Sequence, residues 1–199
     1  MIETPRLIRL SFIEEDLSAV QGFACGNEPW AVYLAQWITN TAPDEKNVIE
    51  HLRDGTKVWL YLTGQGDIVG YGSLGITTWK YPEPLGSEKA TIAVIPAVAV
   101  SSAFQSQPPG DWRQRYSTEI LSDLIATATQ DHLTGRFPDP VLGLFVDARN
   151  GRAKKLYTRV GFTDYGKPFK RDGYYDQRMR IKLDVSAIAN SGQSTTGEP

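Results

Sequence analysis

The chain has 199 residues, enough for one domain of ordinary size and too few for two comfortable ones. Its hydrophobic fraction of 41% and charged fraction of 22% are those of an ordinary globular protein. Twenty-one Lys and Arg face 23 Asp and Glu; the formal net charge of -2 gives no global pull toward nucleic acid or an anionic membrane, although a local basic patch remains open.

Along the chain, residues 6–11 read as a short strand. Phe12, Leu17, Val20 and Phe23 then follow at roughly helical spacing, behind acids that suit a first turn. Residues 43–53 predict a second helix, with Pro43 at its start and Gly55 just past its end. KVWLYLT and IVGYGSLGITTW, joined by GQGD, predict a hairpin. Residues 89–101 form an apolar run suited to a central strand. Ile120, Leu121, Leu124, Ile125 and Ala128 predict a helix over 113–130, with Ser117 as a cap at its start. VLGLFVD is a further buried strand. NGRAKKLYTRV is a helix capped by Asn150 and closed by Gly161, and two strands finish the chain. The order β-αα-βββ-α-β-α-ββ predicts an α/β domain, a mixed central sheet flanked by helices, over residues 1–185. After Ile188 the chain lacks core-forming side chains, and residues 186–199 are expected to be a disordered tail.

A single cysteine, Cys25, excludes an intrachain disulfide and any paired-cysteine metal site, and His51 and His132 lack ligand spacing, so no metal is expected. The longest apolar run contains a proline and is far shorter than the ~20 residues of a membrane span. The N-terminus lacks a basic region followed by an apolar core. A cytoplasmic location away from membranes is the expectation.

The most specific pattern lies at 141–162. A buried strand leads to Asn150, followed by Ala153, Leu156-Tyr157 and Gly161-Phe162. This spacing resembles the C-terminal signature of the GNAT superfamily of acyl-CoA-dependent N-acyltransferases. Physically, Ala153, Leu156 and Val160 form a stripe for packing on a sheet, and Gly161 permits a left-handed turn. The resemblance implies acetyl-CoA as cosubstrate, Tyr157 as general acid for the departing thiolate, and Asn150 and Ala153 beside the cofactor. A buried tyrosine with a satisfied hydroxyl is the plain alternative for Tyr157. IPAVAV resembles the family's fourth strand, whose splayed end pairs with the pantetheine arm; Val98, Ala99 and Val100 would supply it, with the N–H near Val100 as oxyanion donor.

After that strand the family places a glycine-rich loop whose backbone N–H groups and helix dipole grip pyrophosphate. Here the segment is FQSQPPGDWRQRYS. One alignment keeps Gln105 and Gly110 but puts Pro108 in a glycine position; the other starts at Gln107. Each proline deletes a donor, and Asp111 opposes phosphate. Arg113 and Arg115 are expected to replace the lost amides with guanidinium groups.

For the acceptor, Glu88 and Asp147 are the nearest candidates for a base, and each reads better as a solvated strand-end acid. Trp30, Tyr33 and Trp37 make a stripe on one helix, as core or as an acceptor wall. Tyr174, Tyr175 and Asp176 either line the acceptor mouth or belong to an edge hairpin. The resemblance implies an N-acetyltransferase acting by direct attack of a primary amine. The expected acceptor is a small molecule or peptide, with no nucleic-acid partner, and a homodimer is common for such folds. The rival reading is a GNAT-shaped interaction module whose prolines ended cofactor binding.

Overall fold

A computed structural model describes residues 7–42, 47–80, 89–105, 115–171 and 174–186. Strand β1 (Ile8–Ser11) leads through a 3-10 turn into α1 (Leu17–Val20), α2 (Pro29–Ile38) and α3 (Val48–Arg53). The hairpin β2 (Lys57–Leu62) and β3 (Ile68–Lys80) follows, then β4 (Lys89–Ile95), β5 (Val98–Val100) and a single turn, α4 (Ser102–Gln105). Helix α5 (Tyr116–Leu133), β6 (Val141–Asp147), α6 (Gly151–Arg159), β7 (Thr163–Arg171) and β8 (Tyr174–Lys182) complete the chain.

The sheet runs β1-β2-β3-β4-β6-β8-β7, with β5 also paired to β3. Among the described residues the one parallel pair is β4 with β6; the 18-residue α5 provides the crossover such a pair requires. Strand alternation sorts the core onto two faces. Trp59, Tyr61, Ala93, Ile95, Leu142 and Leu144 point to α5 and α6. Val58, Leu60, Tyr71 and Ala99 point to α1, α2 and α3. Helix α5 lies directly on the backbone of β3 because Gly70 and Gly72 carry no side chain there. A Cβ on Gly72 would stand 2.9 Å from Leu124, and one on Gly70 would run into the Ala99 carbonyl oxygen.

The mixed α/β sheet is as the sequence predicts, but three elements differ. The main N-terminal helix is α2, opened by Pro29 in its first turn, whereas 12–23 makes only a 3-10 turn and one helical turn. The single strand expected over 89–101 is two strands. Helix α5 starts at Tyr116 with Arg115 as its N-cap, so Ser117 lies inside the first turn.

The break between β4 and β5 shapes the site. Pro96 has no N–H to give a ladder, so regular pairing stops there. Beside it, the buried Ser73 on β3 grips Ala97. Its hydroxyl donates to the Ala97 carbonyl (2.7 Å) and accepts from the Ala97 N–H (2.9 Å), while its own N–H donates to the same carbonyl (3.0 Å). Strand β4 pairs with β6 from Ala93 opposite Leu142 as far as Ile95 opposite Leu144. Beyond that point β5 follows β3, β6 follows β8, and the sheet opens between them.

Candidate active site

The opening is a cleft of about 800 Å³ that crosses the sheet. On the α5/α6 side it is lined by Asn150, Ala153 and Tyr157 of α6, and by Leu144 and Val146. On the other side it is lined by Trp30, Tyr33 and Trp37 of α2, by His51 and Asp54, and by Phe145, Asp147 and Asp176. Pro96, Ala97 and Val98 form the edge where the strands part.

Strand β5 presents donors to this cleft. Ala97 and Ser101 exchange hydrogen bonds with β3, so the alternation of an antiparallel ladder turns Val98 and Val100 the other way. The Val100 carbonyl confirms the direction, since it accepts from the Gln105 side chain (2.7 Å) rather than from β3. Among the described residues β5 pairs with β3 alone. Val98 lines the cleft; Val100 lies one step beyond it, and Ala99 is buried against α2.

Helix α6 forms where the sequence places it. The Asn150 side chain accepts from the Ala153 N–H (3.0 Å) as N-cap. Gly161 takes φ 103°, and Phe162 behind it is fully buried. Tyr157 faces the cleft with its ring edge near Phe162 (6.0 Å between centroids). Its hydroxyl has no hydrogen-bond partner among the described residues, and desolvation pushes the phenol up to about 12. It is therefore neutral at physiological pH and holds a proton with no competing acceptor among the described residues.

The other predicted residues take different places. Gln105 donates through its side-chain amide to the Cys25 (2.6 Å) and Val100 (2.7 Å) carbonyls, fastening the end of β5. Arg115 stands exposed at the start of α5. Pro108, Pro109, Gly110, Asp111, Arg113 and Glu88 lie outside the described residues. Asp147 is not a free base. Arg149 donates to it through Nε (3.0 Å), Nη2 (2.6 Å) and its backbone N–H (2.9 Å), and those bonds hold its carboxyl below the usual carboxylate range. Asp176 sits directly across from it on β8, buried. The aromatic stripe of α2 divides between core and cleft. Trp37 is buried and stacks on Tyr71 (5.6 Å, 16°), while Trp30 and Tyr33 are partly buried and line the cleft. Arg136 also lines it, braced by Asp131 (2.8 Å) and the Gly55 carbonyl (2.9 Å). Nothing in the local sequence of Arg136 marks it; only the return of the chain from α5 brings it there.

Cys25 is buried, its thiol donates to the Ala31 carbonyl (3.1 Å), and burial pushes it up to about 11. A thiol so protected is a poor nucleophile. Among the described residues there is no cluster of three metal-ligating side chains. No described helix is long and apolar enough to cross a membrane.

No family model matches the sequence, and no curated protein matches it significantly. Solved structures do match the fold. One described as a bacterial toxin covers 98% of this chain and 99% of its own at 13% identity, with a TM-score of 0.67. AtaTR bound with acetyl-CoA covers 94% of this chain and 98% of its own at 16% identity, TM-score 0.58. AtaT complexed with acetyl-methionyl-tRNAfMet covers 85% and 93% at 15% identity, TM-score 0.55. The last overturns the expectation of a small-molecule or peptide acceptor and of no nucleic-acid partner. The expectation of no nucleic-acid partner rested on whole-chain charge, which averages away a strong local imbalance: residues 149–182 hold eleven Lys and Arg against three Asp. The sheet order, the opening after Ile95 and these neighbours together give the chain the GNAT fold.

Proposed function

We propose that this protein is an acetyl-CoA-dependent N-acetyltransferase whose acceptor is the α-amine of an aminoacyl-tRNA. The observation that carries the reading is the Tyr157 hydroxyl, neutral and without a hydrogen-bond partner among the described residues, in the wall of the opening between β5 and β6. The pantetheine arm enters on the α6 side and takes the place of the missing β5–β6 pairing. The Val98 N–H, which lines the cleft, takes the oxyanion role that the sequence assigns to Val100. The amine nitrogen attacks the thioester carbonyl from the α2 side, between Trp30, Tyr33 and Phe145. As the tetrahedral adduct collapses, the C–S bond breaks and Tyr157 gives its proton to the thiolate; solvent then restores the phenol. The attacking nitrogen loses one proton to water. Arg115, with Arg113, is assigned to the pyrophosphate. The acceptor class is supported by the neighbour solved with an acetylated aminoacyl-tRNA.

The test is transfer of labelled acetyl from acetyl-CoA to an aminoacyl-tRNA panel, with deacylated tRNA as control. Tyr157→Phe should lower kcat by about 10²–10⁴-fold while the melting temperature holds, because no hydrogen bond is lost. Binding of acetyl-CoA without transfer to any aminoacyl-tRNA refutes the acceptor. No binding up to millimolar acetyl-CoA favours the interaction-module reading instead.

A further inference from the structure

The charge of this chain is segregated. Residues 149–182 carry eleven Lys and Arg and three Asp, a net charge of +8, so the remaining 165 residues, with ten cations and twenty acids, carry -10. A single strand brings part of that excess beside the cleft. On β8, Asp176 pairs with Asp147 in the cleft wall, Arg178 pairs with Phe145, Arg180 with Gly143 and Lys182 with Val141. Residues two apart share a face, so Arg178, Arg180 and Lys182 run outward from the cleft, one every ~6.8 Å. The face is the one opposite α5 and α6, where the acceptor enters.

The cations lie among aromatic rings. The Arg178 guanidinium stands 4.7 Å from the centre of Phe169, 5.8 Å from Trp79 and 6.0 Å from Phe145. Arg180 lies 4.2 Å over Tyr165, which stacks on Trp79 (5.7 Å, 9°). Gly143 makes this layer fit, because a Cβ there would stand 2.5 Å from the Trp79 ring. Two donors in the layer, Trp79 Nε1 and Arg178 Nε, are buried without a hydrogen-bond partner among the described residues. Unused donors, a row of cations and aromatic faces together fit a partner that brings acceptor oxygens, negative charge and flat bases.

We infer that this face of β8 is a track for the single-stranded 3′ end of the acceptor RNA. The inference rests on the proposed acceptor: the amino acid is esterified to the terminal ribose, so the nucleotides leading to it must leave the cleft along an adjoining surface. The track meets the cleft at Asp176 and Phe145 and supplies guanidinium groups for phosphates and rings for bases.

The experiment measures binding of an RNA hairpin with a four-nucleotide 3′ overhang, by fluorescence anisotropy, over a range of salt. Arg180→Gln/Lys182→Gln removes two of the cations and keeps side chains of similar length. The slope of log K against log salt should fall by about 1.4, at ~0.7 per phosphate contact on a single strand, and a blunt hairpin should bind more weakly than the overhang. Arg152→Gln/Lys155→Gln, on exposed positions of α6, should leave the slope unchanged. An unaltered slope in the β8 pair, or the loss appearing in the α6 pair instead, overturns the track. Acetyl-CoA titration and acetyl transfer are read separately on the same proteins. A lost slope with no acetyl transfer in the parent protein keeps the track and refutes the activity; full transfer with an unaltered slope does the reverse.

Discussion

Ser73→Ala tests what holds the sheet open. The wild-type hydroxyl makes two of the three hydrogen bonds that pin Ala97, at 2.7 and 2.9 Å. Ser73 is fully buried and Ala97 nearly so, at 3% exposure. Alanine therefore leaves the Ala97 N–H buried with no partner, at a cost of about 1–3 kcal/mol. In a domain of about 200 residues each kcal/mol moves the melting temperature by ~2–4 °C, so the variant should melt about 2–12 °C lower. A functional effect should accompany it, because Val98 follows Ala97 and its N–H direction depends on that anchor. Acetyl-CoA affinity, measured by titration calorimetry well below the new melting temperature, should fall several-fold even though the protein is folded. A melting temperature within 1 °C of the parent and unchanged affinity would show that Pro96 alone opens the sheet.

Gly70→Ala approaches the same strand from the other side. The new Cβ would press on the Ala99 carbonyl, which is backbone and cannot swing away, and on Ile120 of α5. We expect a loss of ~2–3 kcal/mol in denaturant unfolding, in the range for overpacked interiors, and weaker acetyl-CoA binding; a stable variant with normal affinity would refute the packing argument. Stability should also fall at high pH. Burial raises Tyr157 to about 12 and pushes Tyr61 and Tyr71 well up, with Asp123 adding to the effect at Tyr61. The unfolded phenols ionise near 10, so the stabilisation is complete below pH 10 and is lost as pH rises through the folded values. The melting temperature should drop between pH 10 and 12. Normal titration of all nine tyrosines in the folded protein, followed at 295 nm, would contradict this.

What the sequence revealed depended on how local the physics was. Asn150, Ala153, Gly161 and Phe162 are a cap, a small packing residue, a left-handed turn and a core anchor within thirteen residues, and each is decided by its neighbours. The opening of the sheet is different. Pro96 inside an apolar run signals an interrupted strand, but Ser73, which fixes the direction of the exit, is 23 residues away and looks like any small strand residue. Arg136 likewise reaches the cleft only through tertiary contacts. Asp147 looked like a free strand-end acid, whereas the turn at Arg149 folds that guanidinium back onto it. The basic segment 149–182 is legible in the sequence and is lost by averaging: its eleven Lys and Arg against three Asp are an imbalance that the net charge of -2 conceals.

The fate of the acceptor proton separates acceptor classes. A lysine-like amine, with a pKa near 10.4, is neutral in only about one molecule in a thousand at pH 7.5, whereas an α-amine near 7.7–8.0 is neutral in roughly a third. The first needs a positioned base, and the second needs only to bind in its neutral form. The cleft carboxylate that the sequence offers as a base, Asp147, is held ionised by Arg149 and accepts three hydrogen bonds from it. A base so committed gains little by taking a proton, which suits the α-amine. The prediction concerns the alkaline rise of kcat/KM. With two aminoacyl acceptors whose amine pKa values differ by about one unit, the break in the profile should move by the same amount. A break that stays fixed would assign proton removal to a side chain in the cleft, with Asp176 and His51 as the two to substitute next, and would reopen the case for a more basic acceptor.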